Sequence, residues 1–161
     1  MFREMRRSKQ VLAEELCIDI LNKATAGVLA VSGDDDYPYA VPLSYVYRDN
    51  RIYFHGAKTG HKLDGIMRNE KVSFCVIEKD DVVPEEYTTY FRSVIVFGKA
   101  RVLESEEDKR IALEVLADKY SPNHKEGTIK EIEKSLAHTA IVEISIEHMS
   151  GKESIELTKM R

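Results

Sequence analysis

Cysteine is scarce in this chain, long apolar runs are missing, and basic residues do not outnumber acidic ones. Each shortage removes a class of function. The only cysteines are Cys17, in a helical pattern, and Cys75, in a strand pattern. Neither has a metal-like or redox-like neighbour, so both are expected as small core or near-core residues. No window approaches the length of a transmembrane helix. The start Met1-Phe2-Arg3-Glu4-Met5-Arg6-Arg7 is basic, but Glu14, Glu15 and Asp19 interrupt the next stretch before a signal-peptide core can form. A cytoplasmic protein without membrane association is expected. With 24 Lys+Arg against 28 Asp+Glu the net charge is −4. The basic field that displaces counterions from a duplex is lacking, and no nucleic-acid partner is expected. His124, His138 and His148 show no metal-site spacing, so no metal is expected either.

What is present fits one domain over 161 residues, with no repeat or low-complexity tract. Leu12, Leu16 and Ile20, flanked by Val11 and Leu21, predict an amphipathic helix over Ser8 to Asn22. Gly27 to Ser32 reads as a strand that ends in the turn residues Gly33-Asp34-Asp35-Asp36. Val41, Leu43, Tyr45 and Tyr47 alternate through a strand from Tyr39 to Arg48, and Asp49-Asn50 turns it into a second strand, Arg51 to Gly56. A short helix comes next over Thr59 to Asn69, with Thr59 as N-cap. Val72, Phe74 and Val76 mark a strand, Glu78 to Glu86 an acidic solvated loop, and Tyr90 to Leu103 a long strand in which Gly98 is a candidate bulge.

Ser105 and Asp108 start a helix through Tyr120, and Gly127 is read as separating a second helical stretch from it. Ala140 to Ile146 is the last clear strand, and Ser150 to Arg161 reads as a polar arm. The layout is an N-terminal helix (1–24), a barrel with helical insertions (25–148) and a C-terminal arm (149–161). Six strand-like segments with peripheral helices predict a mainly β fold, a small antiparallel barrel.

The segment that carries chemistry is the start of the short helix. Free N–H groups and the macrodipole make that end positive, so acidic side chains are favoured there. Here Lys58, His61 and Lys62 stand instead, a like-sign arrangement costing about 0.3–1 kcal/mol per charged group unless an anion offsets it. A phosphate would accept from the N–H groups of Gly60 and His61, the Thr59 hydroxyl and the Lys62 ammonium. Solvated cations at a surface helix start are the alternative reading. The segment matches neither a Walker motif nor a dinucleotide fingerprint.

The blocks around it carry a resemblance. Gly27-Val28-Leu29-Ala30, Asp36 to Tyr45, Ile52 to Ala57 and Gly60-His61-Lys62-Leu63-Asp64 come in order, followed by Lys71-Val72-Ser73-Phe74 and Tyr87 to Ala100. Together they resemble the FMN-binding split-barrel family related to pyridoxamine 5'-phosphate oxidase, most closely its nitroimidazole-resistance reductase branch. The resemblance implies a six-stranded antiparallel split β-barrel and FMN at the interface of a homodimer. It implies that Val41, Pro42, Leu43 and Ser44 line the flavin ring by backbone contacts, and that His55, Gly56, Ala57, Lys58, Thr59, Gly60, His61 and Lys62 surround the cofactor towards its phosphate. His61-Lys62 stand where the oxidase has an arginine-lysine pair, so His61 keeps that charge only when protonated.

Ser93 stands where the oxidase has a ring-touching glutamine. His55 matches a flavin-side histidine of the resistance branch, which implies a cofactor contact or a catalytic proton donor; a structural strand-end histidine is the other reading. The activity implied is an FMN-dependent oxidoreductase that passes electrons from a reduced nicotinamide or other small-molecule donor to a small acceptor such as a nitroaromatic. The oxidase's C-terminal substrate-binding sequence is not evident in Ser150 to Arg161, which argues against the oxidase reaction itself. A non-catalytic flavin-, deazaflavin- or haem-binding protein, with His55 or His61 as axial ligand, is the alternative. The acidic segment Glu78 to Glu86 could border a partner subunit's site.

Overall fold

In the computed structural model, which describes residues 1–161, seven strands form one antiparallel sheet. They are β1 (Ala26–Ser32), β2 (Pro38–Ser44), β3 (Val46–Arg48), β4 (Arg51–Gly56), β5 (Lys71–Val83), β6 (Thr88–Val102) and β7 (Ala140–Glu153). Their order across the sheet is β2-β1-β5-β6-β7-β4-β3. Strands β2 and β3 are separated by one residue, Tyr45, yet occupy opposite edges. The sheet therefore curls until its edges approach without pairing, which is a split barrel, mainly β with helices at its periphery.

Alternation sorts the side chains. Leu29, Ile52, Phe54, Phe74, Val76, Val94, Val96, Val142 and Ile144 fill the barrel and meet Cys17, Ile20 and Leu21 of helix α1 (Glu14–Lys23). On the other face, Val46, Leu103 and Ile141 form a second cluster with helix α3 (Glu106–Tyr120) and Ile132 of α4 (Lys125–His138). Helix α2 (His61–Arg68), between β4 and β5 in the chain, buries Leu63 and Ile66, and α5 (Ile155–Met160) comes after β7. No helix is long and apolar enough to cross a membrane.

Tyr45 closes the split. It is fully buried, and its phenol donates to the Leu21 carbonyl at 2.7 Å, one of the unpaired carbonyls at the end of α1. Its own backbone N–H donates to the Tyr120 hydroxyl at 3.0 Å. That hydroxyl lies within donating distance of the Tyr45 and Thr25 carbonyls. The Lys119 ammonium donates to the Ala24 carbonyl and sits 4.4 Å over the Tyr45 ring. The end of α3 thus pins β1, β2 and β3 together.

Several expectations hold in detail. Asp49 and Asn50 both have positive φ, 48° and 63°, as a two-residue hairpin turn requires. The Asp108 N–H donates to the Ser105 hydroxyl at 3.0 Å, and the β6–β7 register shifts between Phe97 and Gly98.

Others are corrected. The strand expected from Tyr39 to Arg48 breaks at Tyr45, giving seven strands where six were counted. The first helix begins at Glu14 rather than Ser8, after a short 3-10 turn at Ser8–Gln10. Gly127 lies inside α4, and the break between the two helices falls at Ser121 to His124. Of Glu78 to Glu86 only Pro84–Glu86, a 3-10 turn, connects strands as a loop; the rest is strand. Strand β5 continues through a bulge at Ile77/Lys79 and pairs Lys79–Val83 with Thr88–Arg92, a ribbon exposed enough to carry its carboxylates as strand residues.

The C-terminal segment is not a free arm. It completes β7 and turns into α5 around the fully buried Glu153. That carboxylate accepts from Arg92 Nε at 3.1 Å, Arg161 Nε at 2.9 Å and Thr158 Oγ1 at 3.1 Å. Compensation of this kind lets a charge stay buried.

Tyr45→Phe leaves the Leu21 carbonyl without a donor and is expected to cost about 1–3 kcal/mol in urea unfolding. Burial pushes the Tyr45 phenol well above its ordinary value. The unfolded chain loses this proton first, so the stabilisation is complete below about pH 10 and is lost as pH rises further. Melting temperature should accordingly fall less steeply above pH 10 in Tyr45→Phe than in the parent.

Candidate functional site

Strand β4 ends at Gly56, and Ala57 to Gly60 lead into α2. Gly60 occupies the N-cap position with φ 148°, a backbone conformation open to a residue without Cβ. Thr59, expected as the cap, stands one residue earlier, and no side chain caps the helix. The Gly60 conformation makes the entry into the helix, so a hydroxyl cap is not what starts it.

Lys62 folds back across the strand end. A Cβ added at Gly56 would lie 3.1 Å from the Lys62 Nζ, so the glycine makes room for the ammonium. Neither Lys58 nor Lys62 is among the chain's ion pairs. Asp64 is the one acidic residue of the first turn, and it pairs with neither lysine, so two cations at a positive helix end favour an anion there.

His61 turns the other way. Its ring stacks on Tyr39 with centroids 3.9 Å apart, and its Nε2 accepts from the Asp34 N–H at 3.3 Å. In that contact Nε2 is the acceptor and Nδ1 is the nitrogen left to carry a proton. The Asp34 carboxylate, 3.9 Å away, would become an ion-pair partner only on protonation. Arg68 anchors the same flank through the Ser32 carbonyl at 3.1 Å and Asp34 at 3.0 Å. In this arrangement His61 tethers α2 to the β1–β2 turn.

His55 is exposed near the end of β4, opposite Ile141 of β7. With Ser44 it lines a 480 Å³ cleft whose far wall is α3 and α4, including Tyr120, His124 and Thr128. The chain thereby brings together Ser44 and His55, which are distant in the pattern. Along β2, Val41 and Leu43 pack against the core while Pro42 and Ser44 face out. As an edge strand β2 pairs only with β1, which leaves one side of its backbone open to a ligand. Lys58 and Thr59 line a separate 830 Å³ groove beside α2. Ser93 is apart from the rest, in a 1070 Å³ cavity under the N-terminal segment, where Phe2 stacks on Phe97 and His148. No cluster of three or more His, Cys, Asp or Glu has metal-binding geometry.

Tyr120, His124 and Lys109, which complete these two clefts, carried no local signal. They come some fifty residues or more after the β4–α2 junction, in helices whose patterns report only their own packing.

Sheet order, the split at Tyr45 and the uncapped helix after β4 define a split-barrel protein with an anion-favouring strand end. Residues 13–153 match the family model described as pyridoxamine 5'-phosphate oxidase, and the chain belongs to that family. Among solved structures, a conserved hypothetical protein of Mycobacterium tuberculosis superposes with a TM-score of 0.81 at 19% identity, covering 96% of this chain and 92% of that one. A candidate 5-nitroimidazole antibiotic resistance protein of Bacteroides thetaiotaomicron gives 0.75 at 21%, covering 89% and 86%. At these identities the likeness is one of fold. A FAD-binding protein of Mesorhizobium loti is 26% identical with a TM-score of 0.64, covering 89% of this chain and 95% of that one.

Because only the far end of a flexible side chain crowds Gly56, Gly56→Ala is expected to keep stability within about 0.5 kcal/mol of the parent while displacing the Lys62 ammonium. Urea unfolding, with the Lys62 side-chain NMR shifts, checks both. A loss above about 2 kcal/mol would mean that the strand end, not the ammonium, needs the glycine.

Proposed function

We propose that this chain binds FMN, with the phosphate at Lys58 to Lys62 and the ring along Val41 to Ser44, and that it is an oxidoreductase. The observation that carries the reading is the unpaired Lys62 ammonium lying across Gly56 at the uncapped start of α2. The ammonium seated over Gly56 and the open edge of β2 fit a phosphate and a flat ring. Membership of the oxidase family and the FAD-binding relative support a flavin. When bound, the flavin supplies the electron transfer.

The chain's own residues do the rest. Lys58, Lys62 and the first N–H groups of α2 hold the phosphate. The edge of β2 orients the ring. His55, exposed beside Ser44, contacts the cofactor or gives a proton to a reduced acceptor. Tyr120 and α4 exclude water from that cleft. The donor is a reduced nicotinamide or another small reductant, and the acceptor a small molecule such as a nitroaromatic, a class supported by the resistance protein that shares the fold.

A homodimer completes the site. Ile77, Ile95 and Phe97 are exposed at 64%, 41% and 38% on the outer face of β5 and β6. With Pro42 on the same side of the sheet, and Phe2 of the N-terminal segment stacked on Phe97, they make an apolar surface of the kind that joins subunits.

Lys62→Ala is expected to weaken FMN about tenfold, on the order of 1.5 kcal/mol, in a fluorescence titration; an unchanged affinity would put the phosphate elsewhere. The purified protein should show the two visible flavin bands, and a Soret band instead would turn the reading to haem. Ile77→Asp should yield a folded monomer by sedimentation and lose flavin, whereas a dimer that retains flavin would move the interface off this face.

A further inference from the structure

The cleft beyond Ser44 and His55 has a floor and a rim of different chemistry. Leu113 and Leu116 of α3 and Ile132 of α4 are buried at its base, a surface for the apolar body of a small ring. The rim carries hydroxyls, the His55 and His124 imidazoles, and a carboxylate. Tyr120 spends its hydroxyl on the carbonyls of Thr25 and Tyr45, and Thr128 donates to the His124 carbonyl at 2.9 Å. No lysine or arginine lines the cleft. Lys119, beside Tyr120 in the chain, is committed to the Ala24 carbonyl and the Tyr45 ring. The lasting charge at the rim is the Glu131 carboxylate, which is exposed and forms none of the chain's ion pairs.

A second observation concerns the way in. Gly127 lines the same cleft from the first turn of α4, one helical turn before Glu131 and on the same face. Glycine forgoes helix propensity at such a position. Nothing lies within 4 Å of a Cβ added there, and its φ is not positive. Neither packing nor backbone conformation asks for the glycine. Its effect is to leave the wall of the cleft low beside Glu131.

A molecule entering past Gly127 therefore meets a carboxylate and no fixed cation. Hydroxyls donate and accept alike and do not discriminate by charge. An anion is repelled with nothing to offset the repulsion, whereas a protonated amine gains a partner. Resting on the reading of this cleft as the acceptor side of a flavin site, we propose that the acceptor is a small aromatic molecule carrying a protonated amine. Glu131 is the residue that selects it against anionic analogues. Leu113, Leu116 and Ile132 take the ring, Glu131 on the far wall takes the ammonium, and the reacting group faces Ser44 and His55 across the cleft.

The test is titration of the full chain, as purified, with para-nitrobenzylamine, para-nitrobenzyl alcohol and para-nitrobenzoate, which share one ring and differ in charge. Binding is followed by the ring NMR shifts of His55 and His124. The expected order of affinity is amine, alcohol, carboxylate, with about tenfold between first and last, the size of two exposed charge effects. Glu131→Gln should bring the three to within about twofold of one another. Gly127→Leu, whose side chain enters open space and does not threaten folding, should weaken all three by closing the entrance. Equal binding of the three by the parent, binding of none, or an order that survives Glu131→Gln would overturn the selection. Unchanged binding in Gly127→Leu would put the ligand outside the cleft and overturn it as well. The visible spectrum of the same sample is read separately: absence of flavin bands overturns the flavin reading, whatever the order of the three probes.

Discussion

The contact between the end of α3 and Tyr45 is what the rest of the molecule depends on. One residue separates strands at opposite edges of the sheet, so backbone pairing cannot hold those edges together. Side chains must do it. Tyr45 spends its phenol on the end of α1 and its N–H on Tyr120, while Lys119 reaches the start of β1. Burial lowers the Lys119 ammonium below its ordinary value and raises the Tyr120 phenol, which marks how dry the join is. Beside it lie Ser44 and His55, so the same clamp that shuts the split sets the floor and one wall of the cleft.

Much of the scaffold was legible because its signals are local. A short apolar run placed β1, alternation placed the start of β5 and β7, Asp49-Asn50 placed the tight turn into β4, and Ser105 placed the start of α3. What was not legible depends on partners far along the chain. Tyr45 alternates in phase with Val41, Leu43 and Tyr47, so nothing near it shows that the sheet changes edge there; the reason is Tyr120, 75 residues on. Glu153 reads as one more charge in a polar tail until Arg92 is brought beside it. The carboxylates from Glu78 to Glu86 look like a loop because charge density is a surface signal, and a two-stranded ribbon is nearly all surface.

The candidate site divides in the same way. The like-sign charges at the start of α2 could be seen directly, and two of them, Lys58 and Lys62, do stand without counter-ions. His61 looked equivalent to Lys62 by position. Its ring is instead committed to Tyr39 and Asp34, contacts that sequence spacing does not announce, so one of the three faces the β1–β2 turn rather than the strand end. An open flank and a closed flank on one short helix result from that division, and they give the strand end a direction as well as a charge.

In the ribbon that pairs Lys79–Val83 with Thr88–Arg92, the β5 side has run past β1 and presents unpaired backbone groups on its outer edge, while on the β6 side Glu153 pairs with Arg92 and the Ser154 N–H donates to the Phe91 carbonyl. Such edges are templates on which strands of other molecules can add. Asp80, Asp81, Glu85 and Glu86 load this one projection with negative charge, and identical ribbons repel one another before their backbones can meet. Acidity that looks incidental in the composition is, at this place, a barrier of like charge along an exposed strand edge.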